Sequence, residues 1–176
     1  MGFELSKSEL VNQLSLIDSV TAECFVYVPF FSDKIKLIIC FNQSMENDLN
    51  LTEGLYQSYL ELVRLQINEI DLSIINNEIY DDFNKRVNQT SYGFVSDEVS
   101  KTDHAAEVKA NYDHFNIFSP QEAFKSLILK YAMFVEYQNK DAVDFKRYVS
   151  LAFNRKWDME HELLIVFEKG KFFHIE

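Results

Sequence analysis

Apolar side chains recur at every fourth position through Ile75, Ile79, Phe83 and Val87, with polar residues between them. That spacing places them on one helical face, because about 3.6 residues make a turn. Upstream, Leu55, Tyr59, Leu62, Val63 and Ile70 predict an earlier helix that opens at a Thr52 cap and runs to about Ile70, with Asp71 capping the next. Near the N-terminus, Leu5-Ser6-Lys7-Ser8-Glu9-Leu10 reads as a capping box with a hydrophobic staple. A helix carrying Leu10, Leu14 and Ile17 on one side follows, limited by Asp18-Ser19. Ser119-Pro120-Gln121-Glu122 combines a cap, a proline at the first helical position and the carboxylate of a second box.

Elsewhere the pattern belongs to strands. Residues 24–30 and 35–41 are rich in β-branched and aromatic residues, and the bend Phe31-Ser32-Asp33-Lys34 joins them as a hairpin. Pro29 donates nothing to a ladder, so its strand ends there or lies at an edge. Residues 128–138 predict a strand, Asp141 and Asp144 a bend, and 145–157 a strand with Val149, Leu151, Phe153 and Trp157 on one face. Residues 163–167 form another strand, Lys169-Gly170 a two-residue turn, and 171–176 the return. In the simplest register Glu168 pairs with Lys171 and Ile165 faces His174. Residues 42–51 and 88–116 read as irregular, the latter with one short helix near 105–110. The expectation is a single α+β domain over 1–176: an N-terminal β-hairpin, central helices and a C-terminal antiparallel β-meander. An alternating βαβ sheet is disfavoured.

Charge and composition narrow the function classes. The 176 residues carry a formal net charge of −11. No basic patch stands out, so neither nucleic acid nor an anionic membrane surface is an expected partner. No apolar run approaches the roughly 20 residues that span a bilayer. Two cysteines, Cys24 and Cys40, and the absence of a basic-then-apolar N-terminal stretch predict a reducing, cytoplasmic setting. No glycine-rich phosphate loop, H-E-x-x-H or nucleophile motif occurs, and no cofactor is expected. Glu69, Asp71, Glu78, Asp81 and Asp82 cluster without a cation among them. Glu78, Asp81, Asp82, Asp97 and Glu98 are the candidate partner-binding residues for a basic protein.

The densest candidate chemistry is Trp157-Asp158-Met159-Glu160-His161-Glu162. A metal would take Asp158, Glu160 and His161, with His174 as a fourth ligand, but a turn splays such groups apart. An acid–base enzyme would use Glu160 and His161, and needs a pocket that perturbs them. The third reading is structural. Trp157 fills the core and offers its N–H, Asp158 accepts turn amides, and the motif pins strand register. His104 and His114 read as solvent-exposed loop residues.

Trp157, Asp158, Glu160, His161, Leu163 and Ile165, preceded by Val28-Pro29-Phe30-Phe31 in the first hairpin, resemble a family of uncharacterised bacterial proteins. The signature of that family is W-D-x-E-H-G-L-G-V. Glu162 and Leu164 stand where it has glycines. The resemblance implies a protein in the style of immunity proteins, which neutralise toxins; together with the net charge of −11 and the absent catalytic motifs, the expectation is a non-enzymatic binding protein.

Overall fold

A computed structural model describes residues 4–42, 49–135 and 147–176. Helix α1 (Lys7–Gln13) starts where the capping box predicts. The Ser6 side chain accepts from the Glu9 amide at 3.3 Å, and the Glu9 carboxylate accepts from the Ser6 amide at 2.7 Å. The helix ends early, because residues 15–18 enter a short strand, β1 (Ser15–Asp18). Ile17 is therefore exposed rather than on a helical apolar face. Strands β2 (Thr21–Val28) and β3 (Asp33–Cys40) form the expected hairpin, joined by a 3₁₀ turn at Pro29–Phe31 and by Ser32, which takes a left-handed φ of 53°.

Among the described residues the helices α2 (Glu53–Val63), α3 (Glu69–Gln89), α4 (Asp97–Thr102), α5 (His104–Phe115) and α6 (Pro120–Lys125) follow. The chain closes with β4 (Ile128–Val135), β5 (Tyr148–Arg155), β6 (Asp158–Glu168) and β7 (Lys171–Ile175). The seven strands among the described residues lie in one sheet in sequence order. Every neighbouring pair is antiparallel except β3 and β4, which run parallel. A parallel pair needs a long crossover, and the helical segment supplies it. The class is α+β.

The core lies between the helices and one sheet face. Val26, Leu37, Ile39, Phe134, Leu151 and Ile165 alternate inward from the strands, against Tyr59, Leu62, Ile75, Ile79 and Phe83 from α2 and α3. Tyr59 and Tyr56 tie the first segment to this layer. The Leu5 amide donates to the Tyr59 hydroxyl at 2.8 Å, and the Tyr56 hydroxyl donates to the Leu5 carbonyl at 3.0 Å. Cys24 pairs with Leu37 and is buried beneath the helices, whereas Cys40 pairs with Thr21; both thiols are free.

Several expectations require correction. The Thr52-capped helix stops at Arg64, not near Ile70. Asn68, not Asp71, caps α3, because its side-chain oxygen captures the Asp71 amide at 2.8 Å. Ile70 then falls on the outer side of the new helix, 74% exposed. Residues 97–115 are two capped helices rather than a loop. Ser96 caps α4 and Asp103 caps α5. Apolar periodicity misses α5 because the two residues it buries are polar, Glu107 and Asn111. Asn111 Nδ2 donates to the carbonyls of Val87 and Thr90 at 2.9 and 3.1 Å, so it serves the C-terminal end of α3. In the last hairpin Val166, not Ile165, pairs with His174, because Phe173 bulges out of the ladder. The bend at Asp141 and Asp144, and most of 42–51, lie outside the described residues.

Candidate functional site

Strand β5 buries Val149, Leu151 and Phe153 on alternate positions, and the next inward position is Arg155, 7% exposed. A cation there requires acceptors nearby. Arg155 Nη1 donates to Asp82 Oδ2 at 2.7 Å, and Nη2 donates to Asp158 Oδ2 at 3.1 Å. The turn Lys156-Trp157 follows, and the Trp157 indole N–H donates to the same Asp82 oxygen at 2.8 Å. The indole is 2% exposed and meets Phe83 edge to face, with ring centroids 5.3 Å apart. From one turn further along α3, Arg86 reaches Asp158 Oδ2 at 3.0 Å. His161 Nδ1 lies 3.0 Å from Asp158 Oδ1. The Tyr92 hydroxyl donates to the Trp157 carbonyl at 2.7 Å.

These contacts clamp the β5–β6 hairpin onto α3 through Asp82, Phe83 and Arg86. Burial alone pushes the Asp158 pKa up. The His161 hydrogen bond and the charges of Arg155 and Arg86 outweigh it and hold the carboxyl below its ordinary value. Asp158 is thus kept ionised and engaged on both oxygens.

Beyond the clamp the ladder is irregular. Phe153 pairs with Leu163 and Arg155 with Asp158, so Asn154 alone opposes Met159, Glu160, His161 and Glu162. This long bulge is tied at its far end by Glu162, which accepts from Lys130 and from the Tyr131 hydroxyl on β4. Those two hydrogen bonds lower the Glu162 pKa. Burial, then the bond to Glu162, push the Tyr131 hydroxyl up to about 12.

Residues 11–176 match the family described as Domain of unknown function (DUF6985). The chain belongs to this family. No curated protein and no solved structure matches it. The match takes in all seven strands and the whole clamp of this DUF6985 chain.

The residues singled out in the sequence occupy three environments. Trp157 and Asp158 are in the clamp, and His161 sits at its exposed edge. Glu160 projects from the bulge, exposed and without an ion partner among the described residues. His174 lies opposite Val166 and bonds Glu176 at 2.6 Å, so it does not join His161. Among the described residues no group of three or more His, Cys, Asp or Glu side chains could hold a metal ion. No helix among them is long and apolar enough to cross a membrane. Glu78 and Asp81 are exposed on α3, and Asp97 and Glu98 are exposed in the first turn of α4, where negative charge suits the helix dipole. Asp82 departs from that group: its carboxylate turns inward to Arg155 and Trp157. Of the histidines, His104 is exposed beside Glu107, and His114 stacks on Phe94 with centroids 3.8 Å apart.

Sequence reasoning missed Arg86, Tyr92 and Arg155. Arg155 carried a signal, because it continues an apolar period-two pattern with a cation. Tyr92 and Arg86 carried none, because their contacts join segments 65 or more residues apart in the chain.

Proposed function

We propose that this DUF6985 chain is a non-enzymatic, cytoplasmic bacterial binding protein, an immunity protein that occludes a basic toxin through its helical layer. The outer stripe of α3 carries the reading. Ile70 and Ile74 are exposed at 74% and 41%, and Glu78 and Asp81 follow on the same helical side. An aliphatic pair flanked by carboxylates suits a partner whose apolar contact is ringed by Lys and Arg. The α4 carboxylates Asp97 and Glu98 extend the negative surface. Glu78, Asp81, Asp97 and Glu98 have no ion partner among the described residues. Their field would steer a cationic protein and raise its on-rate more than its affinity. The competing enzyme reading, with Asp158, Glu160 and His161 as acid–base or metal-binding groups, requires Asp158 to leave two guanidinium groups.

The test is co-purification with the product of the adjacent gene, at low and high salt. The fourfold reversal E78K/D81K/D97K/E98K should lose the partner and the resistance it confers, while an Ile70→Asp variant should weaken capture at both salt concentrations. Recovery of no partner at low salt, or resistance unchanged by the reversal, overturns the proposal. Asp82 is left out of the reversal set because its carboxylate belongs to the clamp.

A further inference from the structure

The bulge and the clamp together create a feature that the helical surface does not explain. Asp158 is held at one end by Arg86 and Arg155, and Glu162 at the other by Lys130 and Tyr131. Between these ties Met159 stands 89% exposed, more than any other large apolar side chain among the described residues. Glu160 beside it is also exposed and without an ion partner among the described residues. A bulge re-aims side chains, and one tied at both ends presents them with little left to order on binding.

At the foot of this knob is a hollow of about 440 Å³, lined by Phe115, Ile128, Lys156, His114 and Met159 itself. Ile128 is 59% exposed, and Phe94, stacked on His114, continues the apolar surface at 40% exposed. The ionisable side chains lining the hollow are cationic or imidazole, in a chain whose net charge is −11. Arg155 is neutralised by Asp82 and Asp158, which leaves Lys156 exposed and without an ion partner among the described residues. The hollow therefore fits an apolar side chain that carries a carboxylate beside it. Met159-Glu160 is such a pair.

We infer that this patch is self-complementary and that two copies of the chain associate through it about a two-fold axis. Each Met159 seats against Ile128 and Phe115 of the other copy, and each Glu160 pairs with the other copy's Lys156. Two-fold interfaces require knob and hollow to share one patch, so that both contacts form twice. The arrangement meets that condition: Met159, Glu160 and Lys156 come from the β5–β6 hairpin, and the hollow beside them is completed by Phe115 of α5 and Ile128 of β4. It gives the tryptophan-led motif two roles. Trp157 and Asp158 anchor the hairpin, and Met159 and Glu160 are displayed by it. The inference is independent of the toxin-binding reading, which uses α3 and α4.

The experiment is sedimentation of the full chain from low to high micromolar concentration. A reversible monomer–dimer equilibrium is expected. Met159→Asp should abolish it, because each copy would then bury a charge in the other's hollow. K156E and E160K should each weaken the dimer about tenfold or more by setting like charges face to face, and the double variant K156E/E160K should recover it to within about threefold. All three positions are outside the clamp, so an unchanged melting temperature of the dilute monomer confirms that folding is intact. The quadruple variant E78K/D81K/D97K/E98K should dimerise as the parent does. A parent chain that stays monomeric throughout, a Met159→Asp variant that dimerises normally, or a double reversal that recovers nothing overturns the inference. A foreign partner seated on this patch, lost with Met159→Asp and bound to a monomeric chain, would count against it as well.

Discussion

Replacing Asp82 with alanine is the most demanding test of the clamp. One carboxylate oxygen of Asp82 receives both the Arg155 guanidinium and the Trp157 indole N–H. After truncation the indole N–H has no acceptor, at 2% residue exposure, and Arg155 keeps Asp158 alone while its Nε already lacks a partner. Leaving a buried donor unsatisfied costs about 1–3 kcal/mol. Removing one partner of a buried ion pair costs about 3–5 kcal/mol. The two losses share one oxygen and do not add, and the Asp82 side chain is 27% exposed, so water refills part of the site. A net loss of about 3 kcal/mol is expected. For a chain of this size that corresponds to a fall in Tm of roughly 6–12 °C. Trp157 is the one tryptophan of the chain, so its emission reports urea unfolding from inside the clamp. The midpoint should drop with the slope m unchanged. Asp81→Ala, one residue earlier and exposed, is the control and should shift stability by less than about 0.5 kcal/mol. Equal effects of the two substitutions would refute the clamp as the anchor of the hairpin.

Two further outcomes follow from the same network. The folded-state pKa of Asp158 lies below its ordinary 3.8, so the stability this group contributes is present above that value and disappears as pH falls through the lower folded-state value. Asp158→Asn should be less stable than the parent at neutral pH, and the gap between their urea midpoints should narrow on acidification; a constant gap would exclude the linkage. Glu162→Gln should bring the Tyr131 hydroxyl down from about 12 in an NMR titration of its ring. Stability should change by less than about 1 kcal/mol, because partly exposed ion pairs contribute little.

Much of the fold was legible because its apolar pattern is regular. The α3 stripe Ile75, Ile79, Phe83 and Val87 is fully buried, and the alternation through Val149, Leu151 and Phe153 sets the inner face of β5. The Lys169-Gly170 turn has the positive φ values, 50° and 77°, that its residues suggest. What escaped the sequence depended on polar groups working inside the protein. Helix α5 hid behind the buried Glu107 and Asn111, and Asn68 displaced Asp71 as a cap. The bulge at Phe173 moved His174 by one place. The anchored tryptophan of the motif could be read, but Asp158 meets Arg155, Arg86 and His161 rather than the turn amides expected of it. The motif's partners Asp82 and Arg86 could not be read, since nothing local to α3 distinguishes the inward carboxylate from Asp81 beside it.

The parallel joint between β3 and β4 sets the order in which this chain can be completed. Leu37 meets Ala132 and Ile39 meets Phe134 across it, whereas each of the other strand pairs closes a hairpin. During synthesis β1–β3 can assemble early, but the outer edge of β3 waits until residues 128–135 have been made. Lys34 and Lys36 lie on that waiting edge strand. Lysines on an open edge discourage pairing with a stray strand, so β3 carries its own protection for the interval before β4 arrives.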